Sequence, residues 1–344
     1  LIREAQIASN QRYSKSYGEP EKLLKKAIAG WYKGRFNVDL DAQKEVLPLI
    51  GSKEGIAHLS LAFLNHDDIA LVPSPAYPVH FNGAIIAGGI LHNIPMSEEN
   101  GFKPVLKDIK PEVSKKAKLL FLSYPHNPTT AVVDIDFFKE VVRWSKDKDL
   151  IIVHDLAYSD IVYDGYRAPS ILEIKGASKM NIIEFHTLSK SYNMAGWRIG
   201  FVVGNADVLA TLAKVKSYID FGIFRAVQMA AVRALTGPQD CVRETVNTYS
   251  NRLDVFVEGL NRIGWNVKKP KATFYLWARI PDKFSALTSM EFASLMVKEI
   301  GVVVAPGTGF GEYGEGYIRF ALVENIERLK EAVDRIKVLL ETEY

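Results

Sequence analysis

Apolar residues occur along this chain in short, nearly continuous runs, separated by longer stretches with helical spacing. The runs at 46–50, 69–72, 119–123, 150–154, 182–186 and 199–203 are rich in Val, Ile, Leu and Phe and predict strands. Between them, 53–64, 77–87, 136–147 and 207–218 repeat apolar positions every three to four residues and predict helices. Strands that are apolar throughout and alternate with helices predict an α/β fold, a mostly parallel sheet flanked by helices on both faces. Functional loops are then expected at the carboxyl ends of the strands.

After about residue 240 the pattern changes. A long helix is predicted over 242–263, then strands at 273–279, 302–305 and 317–322, and a final helix over 327–340, together a smaller α+β unit. The Gly237-Pro238 pair stands at the change. The expected organisation is an N-terminal segment over 1–35, a large domain over 36–238 and a small C-terminal domain over 239–344.

Composition narrows the function. A chain of 344 residues with 48% hydrophobic and 24% charged residues can bury a sizeable core. The formal charge of +3 is spread without a basic block, so neither nucleic acid nor an anionic membrane is an expected partner. Apolar runs such as 85–90 fall well short of the roughly 20 residues that span a bilayer, and the first residues lack a signal-peptide layout. A single cysteine, Cys241, excludes an intramolecular disulfide and is read as a buried or neutral thiol. No Cys/His cluster has metal-ligand spacing, so no metal is expected, and the simplest location is the cytoplasm.

Polar loops follow four of the apolar runs: Gly51-Ser52-Lys53-Glu54-Gly55, Tyr124-Pro125-His126-Asn127-Pro128-Thr129, His154-Asp155-Leu156-Ala157-Tyr158 and Thr187-Leu188-Ser189-Lys190. Taken singly they read as helix caps, a turn and a solvated lysine. Together, at one sheet edge, they supply what a pyridoxal cofactor requires. A lysine can form a Schiff base, an acid can pair with the pyridinium nitrogen, and a helix N-terminus with hydroxyls and an arginine can hold a phosphate.

The segment from Ser189 to Gly200, Ser-Lys-Ser-Tyr-Asn-Met-Ala-Gly-Trp-Arg-Ile-Gly, resembles the cofactor-lysine signature of the fold type I aminotransferases of class I and II. Thr187 replaces the signature's first hydroxyl. Asn127-Pro128-Thr129 resembles that family's NPTG turn, with Thr130 where glycine is usual, and the resemblance runs from about Tyr13 to the C-terminus. It implies pyridoxal 5′-phosphate as cofactor and Lys190 as its covalent anchor and the general acid and base. Asp155 would face the ring nitrogen, Asn127 and Tyr158 the phenolic oxygen, and Tyr77 the ring face. Ser52, Lys53, Thr187, Ser189 and Arg198 would hold the phosphate. Arg319 would grip the substrate α-carboxylate, with Asn127 and Lys53 also near substrate.

The resemblance further implies a homodimer with shared active sites, contacts from the N-terminal segment, and Tyr13 completing the partner's phosphate cup. Relatives also cover the site with an N-terminal arm, which these residues do not include. His154 is read as a packed strand-end residue, Met194 and Trp197 as packing, and Gly307-Thr308-Gly309-Phe310-Gly311 as a mobile loop near the site.

Residues 154–165 and Lys216-Ser217-Tyr218 are most similar to bacterial glutamate–pyruvate (alanine) aminotransferases. Residues 51–55, 234–241 and 309–316 are similar to LL-diaminopimelate aminotransferases. In the latter, an asparagine that touches substrate and a serine stand where this chain has Tyr218 and Phe221. The expected reaction is therefore transamination between alanine or glutamate and 2-oxoglutarate or pyruvate. LL-diaminopimelate or aspartate aminotransferase is the alternative, and a C–S lyase on the same cofactor scaffold is a further one. A regulator with an aminotransferase-like sensor domain would need a helix-turn-helix, which these residues lack.

Overall fold

The computed structural model of the protein describes residues 1–9, 18–220 and 222–342. Its main sheet contains β1 (Val46–Leu49), β2 (Ile69–Ser74), β3 (Ile90–Pro95), β4 (Ala117–Ser123), β5 (Ile151–Asp155), β6 (Ile182–Thr187) and β7 (Gly200–Gly204), in the order β1-β7-β6-β5-β4-β2-β3. The pairings from β3 through β2, β4 and β5 to β6 are parallel. β7 runs antiparallel to both β6 and β1, so the sheet is mixed and mostly parallel. Every residue of β1, β2, β5 and β7 is buried, as expected for strands covered on both faces.

Helices α1 (Ile2–Ser9), α2 (Glu19–Phe36), α3 (Ser52–Phe63), α4 (Pro78–Ile86), α5 (Pro111–Lys116), α6 (Ile135–Ser145), α7 (Leu188–Ser191), α8 (Ala206–Ile219) and α9 (Arg225–Thr236) connect and cover these strands. α3, α4 and α8 share one hydrophobic core with one face of the sheet; α2, α6 and α9 share another with the opposite face. Leu71, Leu120 and Ile152 belong to one core, their neighbours Ala70, Leu119 and Val153 to the other, as period-two alternation requires.

The remaining elements are α10 (Asp240–Arg262), β8 (Tyr275–Arg279), α11 (Ser289–Ile300), β9 (Ala305–Pro306), β10 (Tyr317–Ala321) and α12 (Ile326–Glu341). β8, β10 and β9 form a three-stranded antiparallel sheet beneath a separate core that includes Phe256, Trp265, Phe292 and Ile336. The expected strand at 302–305 is reduced to Ala305–Pro306. Val302 and Val304 are buried without joining the ladder, so their apolar character reflects packing alone. The glycine-rich run is a 3₁₀ turn over Gly307–Phe310, whose Phe310 carbonyl accepts from the Ala76 N–H at 2.7 Å.

Beneath the strand ends, Glu184 is fully buried and accepts from Tyr32 Oη at 2.6 Å, Ser170 Oγ at 2.6 Å and the Ile171 N–H at 3.0 Å. Its other close partner is His154 Nδ1 at 2.7 Å. Burial alone would raise the Glu184 pKa, but His154 and His186 hold it well below the usual carboxylate range. The cluster ties α2 to β5 and β6, and His154 is packed within it, as the sequence suggested.

Candidate active site

The strand order brings the chemically active loops together. β1, β4, β5 and β6 end at the same edge, and because β7 is antiparallel its beginning lies there too. Register places Ser123 beside Asp155 and Thr187 beside Gly200. The result is a cavity of about 250 Å³ lined by Ser52, Lys53, Tyr77, Ser123, Asn127, Asp155, Ala157, Tyr158, Thr187, Ser189, Lys190, Ala195, Arg198 and Tyr275.

Lys190 is held at the wall by a change of backbone. β6 passes directly into the short α7, and Thr187 Oγ1 caps it by accepting from the Ser189 N–H at 3.2 Å. The Lys190 ammonium lies 5.3 Å from the Phe274 ring centroid and 5.9 Å from that of Tyr158. These faces exclude water from one side of the amine and leave its other side toward the cavity.

One end of the cavity is suited to an anion. The N-terminus of α3 contributes Ser52 and Lys53, the α7 cap contributes the Thr187 and Ser189 hydroxyls 2.9 Å apart, and Arg198 completes the ring. Arg198 sits at a positive φ of 52°, braced by its Nη1 donating to the Ala195 carbonyl at 2.8 Å. Gly51, at φ 83°, leaves room for that guanidinium, which a Cβ would strike. A Cβ on Gly200 would come within 2.7 Å of the Ser52 backbone nitrogen, so both glycines keep the pocket open.

At the other side Asp155 is buried and unevenly satisfied. Oδ2 lies 3.2 Å from His80 Nε2, whereas Oδ1 is fully shielded with no partner among the described residues. A shielded carboxylate oxygen without a donor is costly, and a cationic ring N–H in the cavity would satisfy it. The residues therefore fit a pyridinium ring with a phosphate arm.

Tyr158 Oη donates to Tyr275 Oη at 3.0 Å, and burial, then the neighbouring Tyr275, raise its pKa well above the phenolic range. It remains a proton donor at working pH. Burial and the Asp155 charge also raise the pKa of Tyr77, whose ring lies 5.7 Å from the Lys53 ammonium.

Arg319 is adjacent to the cavity through Asn127, donating from Nη1 to Oδ1 at 2.5 Å. Its guanidinium is layered between the rings of Tyr275 at 4.0 Å and Phe310 at 4.5 Å, and its buried Nε has no partner among the described residues. Two rings hold the fork in place without neutralising it, which leaves it ready for a carboxylate.

The family model for aminotransferase class I and II matches residues 1–336. The chain belongs to the class I and II aminotransferases. It is 49% identical over 342 residues to LL-diaminopimelate aminotransferase of Moorella thermoacetica, covering 99% of this chain and 86% of that protein. It is 48% identical over 339 residues to glutamate-pyruvate aminotransferase AlaC of Escherichia coli, covering 98% and 82% respectively. Among solved structures, substrate-bound BacF from Bacillus subtilis superposes with a TM-score of 0.93 at 36% identity, covering 98% of this chain and 86% of that one. A probable N-succinyldiaminopimelate aminotransferase from Thermus thermophilus gives 0.91 at 38% identity, covering 98% and 90%. The protein is thus an aminotransferase with the type I fold, in a family that generally depends on pyridoxal phosphate.

Tyr13 and Phe221 lie outside the described residues. Tyr218 is 83% exposed and does not line the cavity of its own chain. Of the reading of Cys241 as a buried or neutral thiol, the burial is not met: the side chain is exposed, in the first turn of α10.

His80, Ser123, Phe274 and Tyr275 were not singled out in the sequence. His80 had a signal, since helical spacing from Tyr77 carries it toward the same sheet edge, where it stacks on Phe121 and meets Asp155.

Thr130 adopts φ 62°, the left-handed conformation that the family's usual glycine takes without cost. Thr130→Gly is expected to raise the unfolding free energy by up to about 1 kcal/mol, net of the entropy glycine adds to the unfolded chain. An unchanged or lowered denaturation midpoint would contradict strain at this turn.

The neighbouring His126 is buried with Nδ1 2.7 Å from Thr129 Oγ1, and burial, reinforced by His80, pushes its pKa from 6.5 down to about 3. The folded chain therefore excludes a proton that the unfolded chain binds below 6.5. This contribution is fully present above that pH and is lost as pH falls toward 3. Between pH 6 and 5, above the carboxylate range, His126→Asn is expected to flatten the stability–pH slope by up to about 1.4 kcal/mol per unit. Denaturant titrations at several pH values measure it, and parallel slopes would exclude the assignment.

Proposed function

We propose that the protein moves an amino group from an L-amino acid to a 2-oxo acid with pyridoxal 5′-phosphate held at Lys190. The observation that carries this is the convergence of Lys190, the half-satisfied Asp155 and the Ser52–Thr187–Ser189–Arg198 ring on one cavity. When bound, the cofactor supplies the electron sink that stabilises negative charge at the substrate Cα.

The chain's residues supply the rest. Lys190 would anchor the cofactor through its amine and would hold and return the proton at the substrate Cα. Asp155 keeps the ring nitrogen protonated, with His80 fixing the orientation of its carboxylate. Asn127 would donate from its amide to the ring's phenolic oxygen, Tyr158 would turn its hydroxyl hydrogen from Tyr275 to the same oxygen, and Tyr77 would cover the ring face. Arg319 would bind the substrate α-carboxylate and thereby fix the orientation of the substrate about Cα.

The favoured pairs are alanine with 2-oxoglutarate and glutamate with pyruvate, with Lys53 meeting glutamate's distal carboxylate. Supporting this choice, Tyr218 and Phe221 remove the polar side chains that would serve the distal ammonium and carboxylate of LL-diaminopimelate. Because Tyr218 is exposed in its own chain, its influence on selectivity requires a second subunit, consistent with a homodimer in which Tyr13 also reaches the partner's phosphate. The names of the relatives include both activities, so kinetics decide. Side-by-side kcat/KM values should favour alanine and glutamate by at least about tenfold. Faster turnover of LL-diaminopimelate would reverse the substrate assignment while leaving the reaction class intact.

A further inference from the structure

A part-buried ion cluster stands directly behind the anion-binding end of the cavity. Glu54 lies in the first turn of α3, beside Lys53. Its Oε2 accepts from the Ile50 N–H at 3.0 Å and braces the turn that presents Ser52. Its Oε1 lies 3.2 Å from Lys216 Nζ and 2.7 Å from His58 Nδ1, while Nζ is also 2.7 Å from Asp220 Oδ2. Lys216 is only 6% exposed. Ligand atoms of Glu54, His58 and Asp220 lie within 4.8 Å of one another, but the lysine ammonium is already among them, so the cluster carries its own cation.

A carboxylate in the first turn of a helix has opposed effects here. It favours the helix dipole and holds the Ile50 turn, yet it weakens the positive field where a dianion would bind. Glu54, Asp220 and Lys216 sum to one negative charge; without the ammonium the two carboxylates sum to two.

We propose that Lys216 is a positioning residue for the cofactor's phosphate: it neutralises Glu54, so that Glu54 braces the Ile50–Ser52 turn without repelling the anion at the α3 N-terminus. The proposal rests on reading that end of the cavity as a phosphate cup. It separates from simple packing because loss of packing weakens phosphate-bearing and phosphate-free ligands alike, whereas a charge effect acts on the former.

The test compares dissociation constants of pyridoxal 5′-phosphate and pyridoxal, after removal of bound cofactor, for wild type, Lys216→Met, Glu54→Gln and the double variant. Lys216→Met is expected to bind pyridoxal phosphate on the order of tenfold more weakly with pyridoxal unchanged. The double variant should recover most of that loss, and Glu54→Gln alone should bind the phosphate form at least as tightly as wild type. Equal losses for both ligands, no loss, or no recovery in the double variant would overturn the proposal. If Lys216→Met does not fold, Glu54→Gln still decides, because a selective loss of pyridoxal phosphate there is contrary to it. A wild type that binds the two ligands equally would instead refute the phosphate cup itself.

Discussion

Lys190→Ala is expected to lower kcat by about four orders of magnitude or more while leaving the thermal midpoint within a few degrees of wild type. The expectation follows from two features of the site. Among the described residues that line the cavity the amines are Lys53, at the anion cup, and Lys190, on the Asp155 side of it, so loss of Lys190 removes both the anchor and the proton carrier. It also contributes little to the core, since its ammonium rests against ring faces rather than in an ion pair. Steady-state kinetics with saturating cofactor, alongside a melting curve, check both halves. Transamination near the wild-type rate would remove Lys190 from the mechanism.

The second large effect is expected at Asp155. Replacing it with alanine should reduce kcat by roughly a thousandfold, a loss of charge stabilisation in a water-poor site, and should weaken cofactor binding less. His80→Gln should have a smaller effect in the same direction, because His80 does not line the cavity and touches Asp155 from behind. Single-turnover measurement of Cα–H cleavage isolates the step. Recovery of the full rate by excess cofactor would mean that Asp155 serves affinity alone.

Strands buried on both faces were legible as short apolar runs rich in β-branched residues and bounded by polar loops. β3 was not, because this edge strand carries His92 and Asn93 and is only half covered. The reversed direction of β7 was also hidden, since periodicity reports which face a residue occupies and not which way its strand runs. That reversal is what delivers Arg198 to the cup. Lys190, Asp155, Asn127 and Arg198 could be found because each follows or precedes an apolar run in a loop of unusual polarity.

His80, Phe274 and Tyr275 could not be found in that way. Their contribution depends on tertiary contacts across 75 to 117 residues, as in His80 with Asp155 and Tyr158 with Tyr275. Glu54 and Lys216, 162 residues apart, are invisible for the same reason. A charge pair of this kind leaves no local pattern.

Borohydride reduction of the cofactor-loaded enzyme followed by peptide mass mapping, with and without prior exposure to alanine, tests the role of Lys190 most directly. A phosphopyridoxyl adduct is expected on Lys190 alone, abolished when alanine has first displaced the lysine. An adduct on another lysine, or none, would contradict the claim that Lys190 holds the cofactor.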